Sequence, residues 1–243
     1  MKKDFQIISK AFKNQFKIPK FGDFCSVIRD IYEECKEISE GKVASYIPQL
    51  ASYDPNYWGV SICTVDGQRF VIVDTKQTVE KLQQGTFRFS LGDVTTPFTM
   101  QSCSKPFTYA VCLNEVGSEA VHQYVGQEPS GRMFNKLCLD YSNKPHNPLL
   151  NSGAIMSCAI LLSIVKPELP MSEKFDLLVE YFSKMSGQEG IGFNNSVFLS
   201  ERDTADRNFA LAYFMKENKC FPPGFNLQET LDFYFQVRRV TSL

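Results

Sequence analysis

Residues 24–38 place Phe24, Val27, Ile28 and Ile31 at helical spacing, with Glu33, Glu34, Lys36 and Glu37 on the opposite side. This pattern predicts an amphipathic helix terminated at Gly41. The stretch from Tyr46-Ile-Pro-Gln-Leu50 to Pro55 holds neither period and reads as an ordered surface loop. From Trp58 the period shortens to that of a strand. Val60–Val65 and Gln68–Val73 flank Asp66-Gly67, two residues that tolerate positive φ, and together they predict a β-hairpin. A third β-like run, Thr86–Leu91, precedes Gly92-Asp93, and Arg69-Phe70 and Asp74 recur at one constant offset as Arg88-Phe89 and Asp93, as a short local duplication would leave them. Beyond Pro97 helical spacing takes over, in segments 102–115, 117–124, 152–165, 172–185, 204–217 and 227–237. A few strands followed by many helices is an α+β arrangement. No low-complexity linker divides it, so one interrupted domain is the economical reading.

Composition narrows the function classes. The 243 residues are 43% hydrophobic and 22% charged, which suits a soluble globular chain with a sizeable core. A net charge of -1 gives no basic field for nucleic acid or an anionic bilayer, although the first 20 residues carry six lysines and one aspartate. That end reads as a solvated helix; it lacks the arginines and the small-residue cleavage site of a targeting peptide. No apolar run is long enough to predict a membrane span. The eight cysteines sit mostly among apolar neighbours, form no Cys-x-x-Cys pair and follow no secretory signal, and so read as reduced, largely buried thiols of an intracellular protein. His122 and His146 have no partner at ligand spacing, so neither a metal nor any other cofactor is expected, and the glycines around Gly126 and Gly131 make no dinucleotide fingerprint. Both histidines read as structural, His146 as one that orients its loop through backbone hydrogen bonds rather than acting as a base.

One spacing carries chemistry. In Ser102-Cys-Ser-Lys105 the serine and lysine share a helical face. A serine hydroxyl needs a neighbouring base, and a lysine made partly neutral by desolvation is one. A helix start would also favour developing negative charge, and Pro106 is tolerated in a first turn. On spacing alone Ser102 reads equally well as a helix cap beside a solvated Lys105, and the pattern recurs at Ser39–Lys42 and Ser163–Lys166. Asn151 likewise has the look of a cap, Glu201 and Asn208 of surface residues, and Tyr46 and Tyr234 of packed aromatics.

Longer blocks decide between these readings. Tyr46–Leu50, Trp58-Gly-Val with Thr64–Arg69, Gln101–Pro106, Tyr124-Val-Gly with Glu128–Gly131, Lys144–Pro148, Asn151 with Gly153–Ile155, Ser200-Glu-Arg202, Asp206–Ala210 and Leu231–Gln236 occur in this order. Together they resemble the animal-type glutaminases, serine amidohydrolases of β-lactamase/transpeptidase-like fold. The resemblance implies that Ser102 attacks the side-chain carboxamide of L-glutamine with Lys105 as its base. It implies an acyl-enzyme, release of ammonia and formation of L-glutamate. It also implies substrate contacts from Tyr46, Ser102, Asn151, Glu201, Asn208 and Tyr234, with Glu201 pairing the α-ammonium group. A homo-oligomer, dimer or tetramer, and a mitochondrial location follow from the same likeness, the cytoplasm being the alternative because no transit peptide is evident. Penicillin-recognising enzymes share Ser-x-x-Lys, but no Lys-Thr-Gly follows here.

The chain also departs from the family pattern. It reads as a helical lead-in over 1–40 and a partial catalytic domain over 41–243, with an insertion near 70–88 and a lengthened connection at Val165–Pro170. Relative to the family it is expected to be truncated at both ends, without the proton-relaying tyrosine and the Lys-Ser-Gly strand that follow elsewhere. The expected fold is therefore an incomplete β-lactamase-like one, with an amino-terminal hairpin and a large helical region. By itself such a chain is expected to turn glutamine over undetectably and to be poorly stable. The competing reading is an inactive isoform or fragment that binds full-length glutaminase subunits.

Overall fold

A computed structural model describes residues 13, 18–62, 89–131, 136–186, 190–238 and 240–242. Two compact units emerge, one built from Met1–Ala44 with Tyr53–Thr96, the other from Ser45–Ser52 with Pro97–Leu243.

In the first unit, α1 (Phe21–Lys36) is the expected amphipathic helix, but its buried positions are Cys25 and Tyr32. Val27 and Ile31, assigned to the apolar stripe from sequence, are exposed, so the stripe is rotated by about one position. Tyr32 explains the rotation. Its ring lies 5.8 Å from that of Trp58, its hydroxyl donates to the Trp58 carbonyl, and the Trp58 indole N–H donates to the Tyr32 carbonyl at 3.3 Å. The helix ends at Lys36, before Gly41, which therefore does not terminate it.

Strand β1 (Gly59–Ile62) pairs antiparallel with β2 (Phe89–Gly92), in a register running from Gly59↔Gly92 to Ile62↔Phe89. The amino-terminal hairpin is thus present, and its second strand is drawn from the third β-like run. The Asp66-Gly67 turn, the Gln68–Val73 segment and the insertion near 70–88 lie outside the described residues. Gly92 closes the pair at φ 72, where a Cβ would sit 2.0 Å from the Trp58 carbonyl oxygen, so only glycine fits.

The second unit is predominantly helical. Ile47 and Leu50, placed in a surface loop from sequence, are buried, and the short helix α2 (Pro48–Ala51) carries the latter with Pro48 in its first turn. A 3₁₀ turn at Gln101–Cys103 leads into α3 (Ser104–His122), which breaks at Gly117 (φ 81, ψ 161), the point where the sequence divides into two helical segments. Then follow α4 (Asn151–Ser163), α5 (Met171–Met185), β3 (Ile191–Phe193), α6 (Asn195–Asp203), α7 (Asp206–Glu217), α8 (Leu227–Val237) and β4 (Val240–Ser242). β3 and β4 pair antiparallel, a ribbon too short to be legible as a period.

Helix α4 is the axis of this unit. Every residue from Asn151 to Leu161 is buried, and α3, α5, α7 and α8 all contact it. A helix apolar on all sides belongs inside a core, and Gly153-Ala154-Ile155 permits close approach on one of them. There a Cβ on Gly153 would lie 1.9 Å from the Asn147 carbonyl oxygen, so the 144–150 loop rests directly against the helix backbone. His146 holds this loop through its main chain, its carbonyl accepting from the Glu128 N–H at 3.1 Å. This main-chain role is the one expected from the sequence; the buried side-chain Nδ1 has no hydrogen-bond partner. His122 is the satisfied structural histidine expected, bonded to the Tyr109 hydroxyl and the Val125 carbonyl.

Candidate active site

All seven residues singled out from the sequence lie in the second unit. Ser102 occupies the middle of the 3₁₀ turn and is exposed. Helical dihedrals at Cys103 and Ser104 carry the chain without interruption into α3, so residues three apart from Ser102 onward rise on one side. Lys105 is the residue so placed. The turn is entered through Gln101 at φ 48, an unusual conformation for a side-chain-bearing residue. It is held by the Gln101 N–H donating to the Arg238 carbonyl at 3.0 Å, and the Ser104 hydroxyl donates to the Gln101 carbonyl at 2.7 Å.

Lys105 is 6% exposed, not a surface charge. Its Nζ donates to the Asn151 Oδ1 at 2.8 Å and the Leu149 carbonyl at 3.0 Å. Burial, and secondarily the positive charge of Arg238, push its pKa down to about 8. Relative to an amine at 10.5, this raises the neutral fraction near pH 7 by about 300-fold.

Asn151 opens α4 but does not cap it; the cap position is Leu150, which makes no side-chain cap bond. Its amide instead links two elements, accepting from Lys105 and donating to the Asn208 Oδ1 on α7 at 3.1 Å. Asn208 and Glu201 are buried, which excludes the surface reading of both.

On α8, Tyr234 is 2% exposed, and burial raises its pKa. Tyr46, by contrast, is 54% exposed, with its hydroxyl donating to the Gln101 Oε1 at 2.9 Å. The structure therefore gathers Lys105, Asn151 and Asn208 into one hydrogen-bonded chain. Tyr46, Glu201 and Tyr234 belong to a second group, assembled on two residues that sequence reasoning did not assign to the site.

Those residues are Gln101 and Arg238. The Arg238 guanidinium, 7% exposed, contacts the Glu201 Oε1 at 2.6 Å through NH1, which also lies 3.3 Å from the Tyr234 hydroxyl. NH2 donates to the Gln101 Oε1 at 3.3 Å, and the guanidinium carbon stands 5.2 Å from the Tyr234 ring centroid. A signal for Arg238 existed in the sequence: it follows Tyr234 by one helical repeat, on the stripe that an apolar helix buries. Gln101 gives no such signal, because positive φ is not encoded by a glutamine.

Among the described residues no group of three or more His, Cys, Asp or Glu is arranged to hold a metal ion, and no helix is long and apolar enough to cross a membrane. The cysteines described are free thiols. The arrangement offers an accessible hydroxyl three residues before a buried amine, which two uncharged amide side chains join in one hydrogen-bonded chain, and a carboxylate paired with a guanidinium.

Comparison with known proteins adds a lineage to this geometry. The Glutaminase family model matches residues 41–83 and 78–242. Putative glutaminase 2 of Caenorhabditis elegans is 50% identical over 232 residues, which are 95% of this chain and 34% of the relative. The mitochondrial liver isoform of glutaminase from Rattus norvegicus is 43% identical over 231 residues, 95% of this chain and 35% of that protein. A solved structure, Mglu in its glutamate form, superposes with a TM-score of 0.70 at 30% identity, covering 87% of this chain and 43% of that one. The chain thus spans about a third of the length of these animal relatives.

Proposed function

The chain belongs to the glutaminase family, and we propose that it supplies the nucleophile and the amino-acid-binding groups for hydrolysis of L-glutamine to L-glutamate and ammonia. The observation that carries this reading is Lys105, a buried amine with its pKa lowered to about 8, one helical turn from an exposed serine. A neutral Lys105 takes the Ser102 proton as the hydroxyl oxygen attacks the carboxamide carbon. Lys105 passes that proton to the carboxamide nitrogen, and the tetrahedral species expels ammonia, leaving an ester between Ser102 and the glutamyl side chain. Water cleaves that ester, releasing glutamate and restoring the hydroxyl.

The remaining groups bind the amino-acid end. Glu201 faces the α-ammonium, while Asn151 and Asn208 satisfy polar groups without adding charge. Tyr46 and Tyr234 line the same ligand. Asn151 has a second task, since its Oδ1 holds the Lys105 amine in place. The family reading extends to a dimer or tetramer and to a mitochondrial location, the latter supported by the name of the rat relative.

Binding tests this reading without requiring turnover. Ser102→Ala should retain calorimetrically measurable affinity for L-glutamine, because the hydroxyl serves the covalent step more than ground-state contacts. Glu201→Gln and Asn208→Ala should each weaken it by about tenfold or more. Undiminished binding by both variants would remove these residues from the site.

A further inference from the structure

Among the described residues around the site, Arg238 carries a charge that the proposed reaction leaves without a task. It stands one residue beyond α8, is 7% exposed, and spends its two terminal nitrogens on different elements. NH1 meets the Glu201 carboxylate of α6 at 2.6 Å and the Tyr234 hydroxyl of α8 at 3.3 Å. NH2 reaches the Gln101 side chain at 3.3 Å, and the Arg238 carbonyl receives the Gln101 N–H at 3.0 Å. Gln101 is the positive-φ residue directly before Ser102.

We propose that Arg238 is a positioning residue with two separable arms. One arm fixes the Glu201 carboxylate as the anchor for a substrate ammonium, and the other clamps the Gln101 turn that presents Ser102. The inference rests on the functional reading above, in which Glu201 meets the ammonium and Ser102 is the nucleophile.

Physical reasons support each arm. A buried carboxylate without a counter-charge is costly to hold; the guanidinium at 2.6 Å offsets that cost and fixes the carboxylate's place and direction. A zwitterionic ligand adds no net charge to the Arg238–Glu201 pair, so the pair need not break for an amino acid to bind. The clamp on Gln101 depends on the planar fork. Two nitrogens pointing in different directions from one rigid group can tie Glu201 and Gln101 together, whereas a lysine ammonium, a point charge on a flexible stem, meets the first and not the second.

The test uses the 243-residue chain and two readouts. L-glutamine affinity is measured by calorimetry, and the Ser102 labelling rate is measured at saturating concentrations of a diazoketone isostere of glutamine. Arg238→Met should lose both, with affinity weakened about 10- to 100-fold. Arg238→Lys should restore affinity to within about threefold of the wild type, since a cation again pairs with Glu201, while its saturated labelling rate stays about tenfold or more below. Circular dichroism melts identify any variant that does not fold, and the lysine variant carries the test if the methionine variant fails.

Wild-type affinity in a folded Arg238→Met chain would overturn the Glu201 arm. Tighter binding would also overturn it, showing that the guanidinium competes with the ligand. A wild-type saturated labelling rate in Arg238→Lys would overturn the Gln101 arm. Glu201→Gln, run in parallel, separates the two levels. If it leaves glutamine affinity unchanged, the underlying reading of Glu201 fails; if it weakens affinity while Arg238→Met does not, only the positioning role fails.

Discussion

At the scale of single residues, burial converts an unremarkable motif into a candidate catalytic pair. Ser-x-x-Lys recurs elsewhere in this chain, and what distinguishes Ser102 and Lys105 is that the serine is exposed and the lysine is not. The cost of burying that amine makes a pH prediction. Because the folded-state pKa is lowered, to about 8, the neutral base accumulates as pH rises through that value. Labelling of Ser102 by a glutamine-shaped electrophile should therefore rise about tenfold from pH 7 to a plateau above pH 9, and Lys105→Arg should abolish the rise. A flat profile in the wild type would contradict the assignment.

Stability carries the same signature. Below about pH 8 Lys105 is charged in folded and unfolded chains alike and its desolvation counts against folding; between about 8 and 10.5 the folded chain sheds the proton first and recovers that loss. Thermal melts at pH 7 and pH 10 should thus show the wild type gaining on Lys105→Met as pH rises. At this scale the sequence was ambiguous even for the amides: Asn151 had the look of a cap and Asn208 of a surface residue, and burial overturns the second reading. For Arg238 the sequence marked only a place on the buried stripe one repeat after Tyr234, because the role depends on Glu201, Tyr234 and Gln101 arriving from three separate segments.

The elements place these residues, and α4 is the one on which the arrangement turns. Its first residue, Asn151, touches Lys105 and Asn208, and the same first turn is pressed against the loop whose Leu149 carbonyl holds that lysine. Gly153 makes that closeness possible, and Gly153→Ala would bring a methyl to 1.9 Å from the Asn147 carbonyl, so backbone must move. We expect a loss of about 1–3 kcal/mol in denaturant unfolding, with glutamine affinity falling as well. An alanine variant as stable and as tight-binding as the wild type would show that the loop adjusts freely.

The long helices were legible because apolar periodicity survives over several turns, and even the break at Gly117 was marked by its glycine. The short α6 and the β3–β4 ribbon were not, being too brief to show a period. The apolar stripe of α1 was misassigned by one position because the Tyr32–Trp58 stack, a contact between distant segments, decides which face turns inward.

For the whole molecule, family and architecture agree. The chain is α+β in the β-lactamase-like manner, with a small amino-terminal strand pair and a dominant helical unit, and it carries glutaminase sequence along most of its length. Order along the chain made this readable: blocks from Tyr46 to Gln236 that are individually bland become specific in sequence. The hairpin was legible in kind, and β1 pairs with the third β-like run, while the Gln68–Val73 segment lies outside the described residues. Whether Ser102 is a Lys105-activated nucleophile in a glutamine-shaped site decides the proposed function. Intact-mass analysis after exposure to the diazoketone isostere of glutamine tests this directly. One adduct per chain should form, map to Ser102, be slowed by excess L-glutamine and be absent from Ser102→Ala and Lys105→Ala. Adduct formation that persists in Ser102→Ala, or that L-glutamine does not protect against, would contradict it.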